Sequence, residues 1–319
     1  MNPHQPVAAR GLTTNDVAAL AWRDAWRLQA RNHPWMTGGL GLALLAVAWL
    51  LASGIRQGLS GGGEPLRLAV LGGLAGFGAT AVGALAGVTL RRLSQRAEDS
   101  LLGFAAGMML AASSFSLILP GLAAAREMTG SGPQAALTVV GGMALGVLLM
   151  LGLDRFTPHE HESSGPCGPG CERIGRVWLF VLAITLHNLP EGMAIGVSFA
   201  QGDMNVGLPL TSAIAIQDIP EGLAVVMALR AAGVGSWPAV LMAGASGLME
   251  PLGSLFGAGI AGGLALAYPV GLGLAAGAMI FVVSHEVIPE THRNGHQTTA
   301  TLGLMAGFAV MMFLDTAMG

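Results

Sequence analysis

Lysine is missing from this 319-residue chain, tyrosine occurs once and cysteine twice. Only 10% of residues are charged, where a soluble domain carries about 25%. Such a shortage excludes an ordinary solvent-facing surface, and 53% hydrophobic residues with a mean hydropathy of +0.63 point to lipid as the main solvent. The two cysteines, Cys167 and Cys171, share one polar stretch and exclude a disulfide framework. A net charge of −3 gives no footprint for a nucleic-acid partner. Residues 1–34 lack the basic-then-apolar pattern of a cleaved signal peptide.

What is present is a series of apolar runs, each near the ~20 residues that cross a bilayer. They fall at about 35–54, 67–90, 100–120, 134–153, 177–199, 208–229, 238–262, 268–288 and 300–317. The expected class is an all-α polytopic membrane protein. Forty-nine glycines, many at G-x-x-x-G spacing such as Gly142/Gly146 and Gly273/Gly277, predict helices packed closely through small residues. Ahead of the first run, Asn15 to Arg31 is amphipathic, with Trp22 and Trp26 on one stripe and Arg23, Arg27 and Arg31 on another. It reads as a cytoplasmic helix lying on an anionic membrane face. Nine spans put the termini on opposite sides. With the N-terminus inside, 12 of the 15 arginines face the cytoplasm, and only Arg56, Arg67 and Arg126 face outward. The positive-inside rule then predicts a plasma (inner) membrane protein with its N-terminus cytoplasmic and its C-terminus outside.

Two of the runs carry nearly the same message. The fifth contains His187-Asn188-Leu189-Pro190-Glu191-Gly192 and the sixth Gln217-Asp218-Ile219-Pro220-Glu221-Gly222. Positions i and i+4 share a helix face, so His187 and Glu191 project together, as do Gln217 and Glu221. Each proline lacks the N–H that would bond the carbonyl four residues back, and a bend is expected beside each polar cluster. Glu250, next to Pro251 in the seventh run, supplies another acid at a helix break and a third wall for a site.

Apart from Arg67, the first residue of its run, no arginine or lysine lies inside any run. A charged acid at mid-bilayer costs ~2.5–3.5 kcal/mol on insertion scales, so Glu191, Asp218, Glu221 and Glu250 together cost on the order of 10 kcal/mol if ionised and unpaired. The compensating charge must come from protons, a bound metal or both. Alone, His187 would read as a hydrogen-bonded core histidine and any one glutamate as a protonated acid; duplication of the motif favours metal. One imidazole, four carboxylates and two amides, with no thiolate, suit Zn2+, Cd2+, Fe2+, Mn2+ or Co2+ better than Cu+. Neighbouring side chains such as His187 and Asn188 point about 100° apart, which leaves room for two metals sharing the glutamates.

Further metal-capable residues lie toward the cytoplasmic side. His285, Glu286 and Glu290 end the eighth run, and His292 and His296 follow; they read either as a release path or as interfacial caps. The 154–176 loop holds Asp154, His159, His161, Cys167 and Cys171 among glycines and prolines. Its spacing matches no closed zinc motif, so it is either a polar linker or a flexible metal-collecting loop.

With these paired motifs the chain resembles the ZIP (Zrt-/Irt-like) family of divalent-metal transporters, in the bacterial branch reading HNxPEG and QDxPEG. The resemblance spans about residues 67–317. It implies an eight-helix core with an inverted repeat, formed by 67–153 and 177–317, and makes 35–54 an extra N-terminal helix. It further implies one metal held by His187, Glu191, Gln217 and Glu221 with Met109. A second would be held by Asn188, Asp218 and Glu250, with Glu191 and Glu221 bridging. The implied activity is uptake of a divalent metal, foremost zinc, into the cytoplasm by alternating access, with a bundle sliding elevator-fashion and a homodimer as the assembly. Two departures stand out: many relatives have histidine where Gln217 stands, and the outer loop 121–133 offers only Glu127 as an acid. The rivals are an intramembrane di-metal enzyme, disfavoured by the lack of an H-E-x-x-H helix, and a proton-coupled carrier of an organic solute.

Overall fold

The computed structural model describes residues 22–58, 63–89, 94–156, 159–161, 165–167 and 176–318. Helices dominate, in the order α1 (Trp22–Asn32), α2 (Pro34–Gly58), α3 (Glu64–Thr89), α4 (Gln95–Thr129), α5 (Gly132–Phe156), α6 (Arg176–Phe199), α7 (Met204–Ala231), α8 (Ser236–Ala261), α9 (Ala267–His292) and α10 (Gln297–Met318). A small antiparallel pair, β1 (His159–His161) and β2 (Gly165–Cys167), lies between α5 and α6 with His159 opposite Cys167. The expected all-α polytopic class is what is found. Each of the nine apolar runs falls on its own helix from α2 to α10, and α3–α5 and α7–α10 are long and apolar enough to cross a membrane. Asp203 caps α7 by accepting from the Asn205 N–H at 2.9 Å, and Gly130, at φ 63°, closes α4 in a left-handed turn.

Prolines mark the helices differently from expectation. Both α6 and α7 run unbroken through Pro190 and Pro220. The irregularities lie instead in α4, where Ser113–Ile118 forms a π-helical stretch, in α9, where Val283–Val287 does the same, and in α8, which is interrupted at Gly247 and Leu248. Each precedes a proline (Pro120, Pro289 and Pro251). A ring without an N–H loosens the carbonyl ladder just upstream, and a widened turn absorbs the mismatch. In α6 and α7 the turn beyond each proline is gripped by a neighbour: Gly192 lies directly against the Glu250 backbone, and Gly222 against the Thr80 carbonyl.

Paired glycines sort the helices into two units. Gly196 and Gly257 let the α6 and α8 backbones touch, so that a Cβ on either would overlap main-chain atoms of the other helix. Gly83 and Gly222 do the same for α3 and α7. In the second unit Gly146 and Gly277 join α5 to α9, and Gly107 and Gly307 join α4 to α10. Between the units (α3, α6, α7 and α8 against α4, α5, α9 and α10) the contact is made by side chains. Met108, Met109, Leu117, Ile195, Ile214 and Met279 share its buried apolar cluster. Helix α2 lies over the outer seam, its Leu40 seated on Gly152 of α5 and its Ala43, Val47 and Leu50 packed in a cluster with Met193 and Ile260.

Candidate metal centre

The doubled motif folds into one place. Helices α6 and α7 cross so that the Gln217 amide Nε2 donates to Glu191 Oε1 at 2.6 Å, fully buried. Oxygens from Glu191, Asp218 and Glu221 lie within 4.8 Å of one another. A single ion with metal–oxygen bonds near 2.0–2.2 Å holds oxygens up to about 4.4 Å apart, so a few tenths of an ångström of closure completes a chelate. Glu250, from the N-terminal turn of the second half of α8, closes the wall opposite. Its Oε2 faces the same space as Asp218 Oδ2, since a Cβ built on Gly76 would lie against both oxygens.

Burial makes this arrangement costly without a cation. Glu191 is 1% exposed and Glu250 0%, and Asn188, Gln217 and Asp218 are also buried. Glu191 Oε2, Gln217 Oε1, Asp218 Oδ2 and Glu250 Oε2 have no hydrogen-bond partner. Unpartnered buried acceptors are rare and expensive, and four in one cluster are the donor set that a hard or borderline cation would satisfy. The charged neighbours of these acids are one another and His187.

His187 sits at the rim. Its Nδ1 bonds the Ala183 carbonyl at 2.9 Å, which fixes the ring and leaves Nε2 as the atom free to bind. Nε2 meets Glu286 Oε2 at 3.0 Å. Glu286 therefore reaches the edge of the centre, through the π-helical stretch of α9 that displaces it from regular helical register. Next to it His285 stacks on Phe281 and approaches Asp154 Oδ2 at 4.0 Å, with its side chain 48% exposed. Glu290 pairs with Arg293 at 3.1 Å, and His292 Nδ1 lies 2.9 Å from the Ile288 carbonyl. His296 bonds Asp99 at 2.8 Å. Met109 is buried in the large apolar cluster that also holds Ala194, Ile195, Ala213 and Ile214, one turn from the ligand motifs. Of the 154–176 loop, His159, His161 and Cys167 lie on the β1–β2 pair, and Cys171 lies outside the described residues.

Three contributors carry no sequence signal. Thr80 of α3 donates to Glu250 Oε1 at 2.7 Å, and Gly76, one turn before it, is the only residue type that leaves room for the other oxygen of that carboxylate. Asp99, near the start of α4, is buried and accepts from both His296 and Asn294. A lone threonine or glycine in an apolar run looks like helix packing, and Asp99 falls just outside the 100–120 run.

The chain is similar in sequence to known zinc transporters. A family model described as ZIP zinc transporter matches residues 155–315. The chain is 67% identical over 298 residues to zinc transporter ZIPB of Bordetella bronchiseptica, covering 93% of this chain and 96% of that one. It is 42% identical over 241 residues to zinc transporter GufA of Myxococcus xanthus, covering 76% and 95%. Against human zinc transporter ZIP11 the identity is 32% over 335 residues, covering 79% and 97%.

Proposed function

Because the chain belongs to the ZIP family of zinc transporters, we propose that it carries zinc through the membrane into the cytoplasm by way of the buried centre between α6, α7 and α8. Members of this family are transporters rather than enzymes, and zinc transport is the activity it shares with its relatives. The single observation that carries the reading is the convergence of Glu191, Asp218 and Glu221, with buried unpartnered oxygens on Glu191, Gln217, Asp218 and Glu250.

The finer assignments follow from the charge and shape of that centre. Four carboxylates are neutralised by two divalent ions. The family resemblance supports a two-metal arrangement with His187, Glu191, Gln217 and Glu221 around one ion, with Met109 at its apolar edge. Asn188, Asp218 and Glu250 surround the other, and Glu191 and Glu221 are shared. The mixed nitrogen and oxygen ligands admit Cd2+, Fe2+ and Mn2+ beside Zn2+. Direction is supported by the polar series His187, Glu286, His285 and Asp154, which leads from the centre to His285, whose side chain is 48% exposed. The 12-to-3 arginine distribution puts that polar side in the cytoplasm of a cell with its N-terminus inside.

Alternating access by sliding is supported by where the glycines lie. Backbone-to-backbone seams join α6 to α8, α3 to α7 and α3 to α8 as a carrying unit, and join α4 to α10 and α5 to α9 as the two pairs of a frame, with apolar side chains between unit and frame. The assembly is a homodimer in an inner membrane. The test is flux of radiolabelled Zn2+ and Cd2+ into proteoliposomes, with and without a pH gradient and with chelator outside. Uptake that Glu221→Ala abolishes is expected. Uptake surviving Glu221→Ala overturns the site, and activity indifferent to chelator points to an organic-solute carrier.

A further inference from the structure

We infer that Thr80 is a positioning residue for the centre: its hydroxyl holds one oxygen of Glu250 so that the other is presented to the metal shared with Asp218. The inference rests on the metal reading of the 187–250 cluster and deepens it.

Helix α3 contributes no ligand of its own, yet it touches the centre at two places one turn apart on a single face. Thr80 is buried, and its Oγ1 donates to Glu250 Oε1 at 2.7 Å; the Gly76 carbonyl, at 3.3 Å, is the more distant acceptor for the same hydroxyl. With Oε1 engaged, Glu250 Oε2 is left buried and without a partner. It occupies the space that Gly76 leaves open. A Cβ at position 76 would overlap Glu250 Oε2 and come within 3.3 Å of Asp218 Oδ2. The seat is therefore a donor on one oxygen and a void for the other, and together they dictate which lone pairs face Asp218.

Thr80 is itself held. A Cβ at Gly247, where α8 is interrupted just before Glu250, would lie 3.1 Å from Thr80 Cβ, and Gly222 of the second motif packs on the Thr80 carbonyl. A β-branched side chain in a helix has few rotamers, and here its neighbours leave one that reaches Glu250. The arrangement has the form of an outer-shell hydrogen bond that orients a ligating carboxylate. Loss of such a bond typically weakens metal affinity by about 10–100-fold.

The experiment measures zinc binding to purified protein by equilibrium dialysis, alongside the zinc dependence of flux, for Thr80→Val, Thr80→Ser, Gly76→Ala and Glu191→Ala. Thr80→Val keeps the shape and removes the hydroxyl, so one of two bound zinc ions is expected to weaken by about 10-fold or more. The other ion stays within about threefold of wild type, and KM for flux rises more than kcat falls. Thr80→Ser restores the hydroxyl and the affinity. Gly76→Ala displaces the other oxygen and weakens the same ion without touching the hydroxyl. Wild-type binding of both ions by Thr80→Val, or failure of Thr80→Ser to recover what Thr80→Val loses, overturns the inference. Wild-type binding by Glu191→Ala overturns the metal reading itself; loss in Glu191→Ala with no change in Thr80→Val overturns only the role of Thr80.

Discussion

Glutamine in place of Glu191 separates the charge of the centre from its shape. The substituted side chain keeps the carbonyl oxygen that accepts from Gln217 Nε2 at 2.6 Å. What changes is Oε2, which has no partner, and one unit of negative charge in a position 1% exposed. Four acids balance two divalent ions; three leave the loaded centre with one uncompensated positive charge. Such a charge near the middle of a bilayer costs ~2.5–3.5 kcal/mol on insertion scales. At ~1.4 kcal/mol per tenfold, affinity for the pair of ions falls by roughly 70- to 400-fold. The metal-free protein responds with the opposite sign, because it no longer buries that acid without a cation, and its melting temperature holds or rises. Zinc titration calorimetry on Glu191→Gln, paired with thermal melts of chelator-treated protein, reads both quantities. A loss of affinity under about 10-fold, or a metal-free melting temperature that falls with the affinity, refutes the charge-balance reasoning.

Four other outcomes follow from packing and exposure. Gly257→Ala forces a Cβ into the Met193 backbone and should destabilise the protein by about 1–3 kcal/mol. Gly141→Ala, with nothing within 4 Å of the added atom, should be neutral or gain about 0.5–1 kcal/mol in the same thermal melts. Asp99→Ala removes the shared acceptor of His296 and Asn294, and a loss of about 1–3 kcal/mol with faster proteolysis of the 293–297 turn is expected. With Cys167 and Cys171 replaced by serine, His285→Cys should react with an impermeant thiol reagent from the cytoplasmic face, while Ser113→Cys, fully buried here, should stay unlabelled from either face in this conformation.

The candidate centre was legible because its polar residues come in two copies of a six-residue word and because the apolar runs, Arg67 at the edge of one apart, hold no arginine or lysine. Helix identity was legible for a related reason: a run of apolar residues long enough to span has one way to satisfy its backbone in lipid. Tertiary encounters were not legible. Glu286 stands in the sequence as one member of a cytoplasmic series, and only the π-helical stretch of α9 brings it onto His187. Thr80 and Gly76 have no pattern around them. Helices α6 and α7 stay helical through Pro190 and Pro220, and the irregular turns ahead of Pro120, Pro251 and Pro289 carried no signal beyond the prolines themselves. The G-x-x-x-G glycines were expected where helices pack closely, and Gly142, Gly146, Gly273 and Gly277 lie against the backbone of a neighbouring helix.

That distribution of glycine gives the surrounding lipid a part in the chemistry. Acyl chains are as apolar as the methionines, leucines and isoleucines between the two units, so no hydrophobic force presses the units together, and only shape resists a shift of one past the other. Under the sliding proposed above, a unit moving along the membrane normal would carry its own apolar belt with it, and its two end positions would match bilayers of different thickness. Mismatch costs fractions of a kcal/mol per ångström, enough to favour one end position over the other. Acyl-chain length would then be a control variable for zinc flux, one that acts without touching a single ligand.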